Sequence, residues 1–196
     1  MPSLWFVGFE RTITKILKAK SPSESAKSTE YQAYQHEFPI YDGRYDVKKP
    51  TRTISPPIQL FHPVFAHFLD DICDSGGALV VPDEVGRATV RYMHASSGIY
   101  DSEAHRRRNT GPLLREILGM GMSNVVNTDG TSSDGLVEVS LVGDWHESVA
   151  ALLREDKRDF GDGGSDPSIQ AGLSMARYWA QPEVGFHACF FFLSCS

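Results

Sequence analysis

Where the segment LLREDKRDF, Leu152 to Phe160, passes from apolar to charged, it places an acid and an amine two residues apart, Glu155 and Lys157. Side chains alternate along a strand, so these two share a face and Asp156 takes the other. A carboxylate there can hold a divalent cation, and the neighbouring ammonium can orient or activate a water and balance charge building on a phosphate. One carboxylate holds Mg²⁺ poorly. A second is best supplied by the adjacent strand, and Asp134, at the start of the strand before, is positioned for it. From the other side, Gln170, Ser174 and Tyr178 are spaced i, i+4, i+8 and share a helix face, leaving Ile169, Leu173 and Ala176 to face a sheet. The plain alternative is that Asp134, Glu155 and Lys157 are solvated charges at strand ends.

Positioning these residues requires a particular run of elements. In YDSEAHRRRNTGPLLREILG, Asp101 or Ser102 can cap a helix, Leu113, Leu114, Ile117 and Leu118 give its apolar stripe, and Gly119 stops it, with Gly111-Pro112 breaking or kinking it on the way. SNVVN reads as a short strand, and Thr128 to Ser133 as a turn with a hairpin signal at Asp129-Gly130. DGLVEVSLVG alternates as a strand, and VAALLRED reads as a more buried one, with DWHES as a polar hairpin tip between them. Asp166 caps and Pro167 opens a helix over DPSIQAGLSMARYWAQ, and FHACFFFLSC closes the chain as an apolar run of strand length. From Ser102 onward the predicted order is helix, strand, strand, strand, helix, strand. Arg106, Arg107 and Arg108 form the strongest basic cluster. With Arg158 they are either a solvated surface or a contact for nucleic-acid phosphates.

Upstream, residues 1–20 form an amphipathic segment in which Phe6, Phe9, Ile13, Ile16 and Leu17 recur at helical spacing among Arg11, Lys15, Lys18 and Lys20. Residues 21–57, rich in proline and serine without a sustained period, read as a polar linker or arm. Residues 58–196 read as a single globular domain that opens with helices at IQLFHPVFAHFLDDICD and VPDEVGRATVRYM, the second announced by Pro82, Asp83 and Glu84. A chain of 196 residues with 41% hydrophobic and 22% charged residues is that of a globular protein. No apolar run is long enough to span a membrane. The net charge of −6 repels a polyanion at long range, so any nucleic-acid contact must be local. Cys73, Cys189 and Cys195 show no C-x-x-C spacing, which disfavours a disulfide framework or zinc knuckle and suits an intracellular setting, cytoplasmic or nuclear. There is no G-x-S-x-G, no H-E-x-x-H and no phosphate-loop motif, and DFG at Asp159 to Gly161 has no H-R-D upstream.

The combination of SDG at Ser133 to Gly135, EDK at Glu155 to Lys157 and Gln170 in the following helix, on that element order, resembles the PD-(D/E)xK nuclease superfamily over about Ser102 to Ser196. The resemblance implies an α+β fold with an α/β three-layer tendency: a restriction-endonuclease-like αβββαβ core, 102–196, with extra N-terminal helices. It further implies Asp134 and Glu155 as ligands of Mg²⁺ or Mn²⁺, Lys157 assisting the attacking water, Gln170 helping to place metal or nucleic acid, and Glu103 as an additional helix acid at the metal. Ser133 stands where the family often has proline. LLREDKRDFGDGGSDPSIQAGLSMARYW also resembles uncharacterised fungal proteins in which such a module precedes a protein-kinase-like domain. On that likeness the stop at CFFFLSCS reads as a minimal module or the front part of a longer protein. Two functions follow as expectations: a metal-dependent nuclease, a hydrolase acting on DNA or RNA, or a catalytically inactive binding or regulatory module of the same fold.

Overall fold

The computed structural model describes residues 4–37, 45–46, 49–53, 63–73, 80–140, 148–158, 164–182 and 184. The elements are α1 (Leu4–Lys18), α2 (Pro22–Ser25), α3 (Ser28–Glu37), β1 (Tyr45–Asp46), β2 (Lys49–Thr53), α4 (Pro63–Cys73), α5 (Asp83–Ser96), α6 (Glu103–Leu118), β3 (Gly135–Ser140), β4 (Ser148–Arg154) and α7 (Pro167–Trp179). The protein is α+β, with helices around small two-stranded sheets. None of the described helices is long and apolar enough to cross a membrane.

The chain divides into two compact units: residues 1–31 together with 87–196, and residues 32–86. This division differs from the sequence expectation of a single domain beginning at residue 58. In the second unit, β1 and β2 pair antiparallel, Tyr45 opposite Thr53 and Asp46 opposite Lys49. Its helix α4 forms where the apolar spacing predicts one, but Phe68 and Ile72 on that stripe are each 61% exposed. The periodicity there was enough to specify a helix and not enough to specify burial.

The first unit holds the candidate chemistry. Its centre is the antiparallel pair β3–β4, in register at Gly135–Arg154, Leu136–Leu153 and Val137–Leu152, then at Glu138–Ala150 after a bulge. Ala151 is the residue left without an opposite number. The extra residue shifts the alternation of β4 so that Leu153 and Ala150 fall on the same face as Leu136 and Glu138. Tyr178 of α7 packs on that face, forming the core with Leu136 and Ala150. Its hydroxyl donates to Glu138 at 3.2 Å. Arg154 therefore projects to the opposite face, where its guanidinium donates to the Thr110 hydroxyl of α6 at 2.5 Å. A Cβ on Gly111 would come within 3.3 Å of Arg154 Nη1, so the pair Thr110-Gly111 marks the place where α6 backs onto β4.

Local sequence explains the helix ends. The Ser102 hydroxyl accepts from the His105 N–H at 3.1 Å to start α6, and Gly119 at φ +64° ends it. The Asp166 carboxylate accepts from the N–H groups of Ser168 and Ile169 to start α7, with Pro167 at the first position. Gly111-Pro112 does not break α6: the helix runs through it to Leu118. The expected strand at SNVVN is reduced to two isolated bridges, Ser123 with Leu136 and Val126 with Ser132. Around Asp129-Gly130 the chain turns, Asn127 N–H donating to the Thr131 carbonyl at 2.8 Å, with Gly130 at φ +78°. The expected closing strand FHACFFFLSC and most of DWHES lie outside the described residues.

The beginning of the expected linker is helical. Pro22–Ser25 and Ser28–Glu37 form α2 and α3, and Pro22, Ser25 and Ala26 are buried. The partner of α2 is α7, which also holds the end of α1: Arg177, 6% exposed, donates to the carbonyls of Ile16 and Ala19 and to Asp129 at 2.5 Å. The mismatch with the sequence reading has a physical cause. Four residues of helix carry no readable period, and what holds them is a tertiary partner more than a hundred residues away.

Candidate metal-assisted phosphodiesterase site

The register of β3 and β4 decides where the two key carboxylates stand. Gly135 opposes Arg154 as the last pair of the ladder, so Asp134 and Glu155 both lie just beyond its open end. There the backbone leaves the ladder register: Asp134 N–H donates to the carbonyl of Arg154, the residue that Gly135 opposes, at 3.1 Å. The Asp134 side chain is anchored across the ladder, its Oδ2 accepting from the Asp156 N–H at 2.8 Å. Ser133, just before it, is buried.

Glu155 is held from α7. Gln170 Nε2 donates to its Oε2 at 2.9 Å and the Ser174 hydroxyl to its Oε1 at 2.7 Å. Gln170 is in turn fixed by the Ser165 hydroxyl, which donates to its Oε1 at 3.3 Å. Gln170, Ser174 and Tyr178 are all buried, so the polar face of α7, and not Leu173 with Ala176, is turned toward the strands. Burial pushes the Glu155 carboxyl above the usual carboxylate range, and the negative charge of Asp134 adds to the effect. The Ser174 and Gln170 hydrogen bonds and the charge of Lys157 act against it without cancelling it.

The remaining candidates are distributed by α6. Lys157, 14% exposed, has its Nζ 3.7 Å from Glu103 Oε1. Glu103 is thus the partner of the lysine. Among the described residues no three acid, histidine or cysteine side chains gather as a metal cage. The basic triplet also separates. Arg106 lies over the Tyr100 ring, 5.3 Å from its centroid, and donates to the Gly98 carbonyl. Arg107 Nη1 donates to Asp134 Oδ1 at 2.5 Å. Arg108 and Arg158 are exposed. A triplet on a helix spans most of a turn, so its members cannot form one patch. Asp156, as its strand parity requires, points away from Glu155 and pairs with Arg154 at 2.7 Å, both side chains 9% exposed.

The sequence reading put Ser174 on the helix face of Gln170 and Arg107 among the phosphate contacts, but missed their partners, Glu155 and Asp134. Their signals were present in the i, i+4 spacings Gln170/Ser174 and Glu103/Arg107, but spacing alone does not say what a helix face meets. Asp134 and Glu155 are hard oxygen donors of the kind a divalent cation takes, and all four of their carboxylate oxygens already accept hydrogen bonds within the protein. Mg²⁺ is commonly held by one or two carboxylates with water completing its shell. No protein-family model matches the chain, and no curated protein or solved structure matches it either.

Proposed function

We propose that the site is a divalent-cation-dependent phosphodiesterase centre of the PD-(D/E)xK type, cleaving DNA or RNA. The observation that carries this reading is the placement of Asp134 and Glu155 just beyond the end of one ladder, where the charge of one acts on the other, with Gln170 and Ser174 fixing Glu155 from the next helix. The order α6, β3, β4, α7 supports the nuclease-like core, with Ser123 bridging the outer edge of β3. A bound Mg²⁺ or Mn²⁺ would polarise the phosphoryl oxygen and acidify a water in the site. Asp134 and Glu155 would hold the cation, Gln170 and Ser174 orient Glu155, and Lys157 would orient a water and balance charge building on the phosphate.

The competing reading is a catalytically inactive binding or regulatory module, of the kind that precedes a kinase-like domain in a longer chain. It is favoured by one observation: Asp134 and Lys157 are already neutralised by Arg107 and Glu103 of α6. Cleavage of single- and double-stranded DNA and RNA separates the two. With Mg²⁺ or Mn²⁺, the phosphodiesterase reading expects cleavage that falls by about 10³-fold or more in Glu155→Ala and Lys157→Ala, since each removes charge stabilisation in the transition state. Activity surviving both substitutions would sink the site, and no activity from the folded wild type would favour the inactive module.

A further inference from the structure

Arg107 has a role in this site that the types and spacing of the other residues do not explain. Asp134 uses Oδ2 to accept a backbone N–H from Asp156, which fixes the carboxylate in place, and presents Oδ1 to Arg107. Arg107 is 39% exposed and Asp134 21%, so the pair lies at the mouth of the site and not in its core. One turn earlier on α6, Glu103 faces Lys157. A single helix face thus sets a positive charge on the carboxylate and a negative charge beside the lysine.

The charge count gives this arrangement a direction. Three carboxylates, Asp134, Glu155 and Glu103, against two cations, Arg107 and Lys157, leave one net negative charge when all are ionised. A divalent cation makes the cluster net positive by one, and a single phosphodiester anion then neutralises it. Arg107 and the divalent cation compete for the same oxygen region of Asp134, because both are drawn to the Oδ1 side that the backbone hydrogen bond leaves open. A guanidinium released from a carboxylate keeps its planar fork of donors, which suits a phosphate oxygen equally well.

We infer that Arg107 is a switching counter-ion: it holds Asp134 in the absence of a cation and transfers to the phosphodiester of the nucleic acid when a divalent cation takes its place. This rests on the phosphodiesterase reading, and it predicts effects of opposite sign from one substitution. In Arg107→Met the carboxylate is free, so Mn²⁺ binds more tightly. The phosphate contact is lost, so nucleic acid binds more weakly. A residue that merely supports the fold would weaken both.

The test uses the full chain and two measurements without turnover. Mn²⁺ binding is followed by electron paramagnetic resonance of the free ion. Binding of a labelled oligonucleotide is followed by fluorescence anisotropy with Ca²⁺ as the divalent cation. From the strength of a partly exposed ion pair, Arg107→Met is expected to bind Mn²⁺ roughly threefold to tenfold more tightly and the oligonucleotide more weakly by a similar factor. Arg107→Gln, uncharged but able to hydrogen-bond, is the second variant should the first fold poorly, and the same pair of signs is expected from it. If the wild type binds Mn²⁺ and neither variant binds it more tightly, the inference is overturned while the site stands. If the wild type takes up no Mn²⁺, the site reading and the inference fall together.

Discussion

Glu155 concentrates the physical tension of the site. It is partly buried beside another carboxylate, its pKa is raised, and the protein devotes two hydrogen bonds from α7 to keeping it in place. A carboxyl whose folded pKa lies above its unfolded one binds more protons in the folded state between the two values. Stability therefore falls as pH rises through that interval. Thermal unfolding without divalent cations should show this fall in the wild type. Glu155→Gln should flatten it, so that the variant gains on the wild type as pH rises above the ordinary carboxylate range. Parallel curves for the two proteins would refute the assignment of strain to Glu155. The prediction belongs to one residue because the pair Arg154–Asp156 next to it is already compensated: two opposite charges, mutually hydrogen-bonded, stand where Glu155 has a like-charged neighbour.

Among the elements, α6 does the most to shape the site, since it carries Glu103 and Arg107 at the front and Thr110-Gly111 against Arg154 behind. Its bounds were legible in the sequence: Ser102 as the cap and Gly119 as the stop are local hydrogen-bonding and backbone effects that need no partner. Pro112 misled, because a proline's local cost of about 3 kcal/mol argues for a break, whereas contacts of Thr110 and Gly111 with Arg154 fix the turn that lacks the bond. Ser102→Ala should lower the urea midpoint by an amount equivalent to about 1 kcal/mol, and Gly119→Ala, which forces a side chain into a left-handed conformation, by about 1 kcal/mol as well. Unchanged midpoints would mean that α6 is held by packing alone.

On the scale of the whole molecule, the first unit is closed by a contact between chain ends. Arg177 reaches the carbonyls at the end of α1 from α7, and it also pairs with Asp129. Burial works to raise the Asp129 carboxyl, but hydrogen bonds from Thr131 and the Arg177 charge outweigh it and hold the group below its usual value. Arg177→Met leaves those carbonyls and Asp129 without their donor, at an expected cost of about 1–3 kcal/mol. Limited trypsin digestion should then cut faster after Lys15, Lys18 and Lys20 than in the wild type. An unchanged rate would show that α2, packed on α7, holds the segment without Arg177.

Helix caps, strand alternation and the pairing of types at Glu155, Lys157, Asp134 and Gln170 are set within a few residues, where hydrogen-bonding capacity and side-chain direction depend on the chain alone. The sequence therefore determined α6, β3, β4 and α7. Only the tertiary structure decided the rest: that the ladder ends at Gly135–Arg154 with Asp134 and Glu155 just beyond it, that Ala151 is bulged so one face meets α7, that Arg107 and Glu103 take opposite partners, and that residues 1–31 belong to the same unit as these side chains. Each of these joins positions distant in the chain. Their energies depend on register and burial, which no local pattern carries.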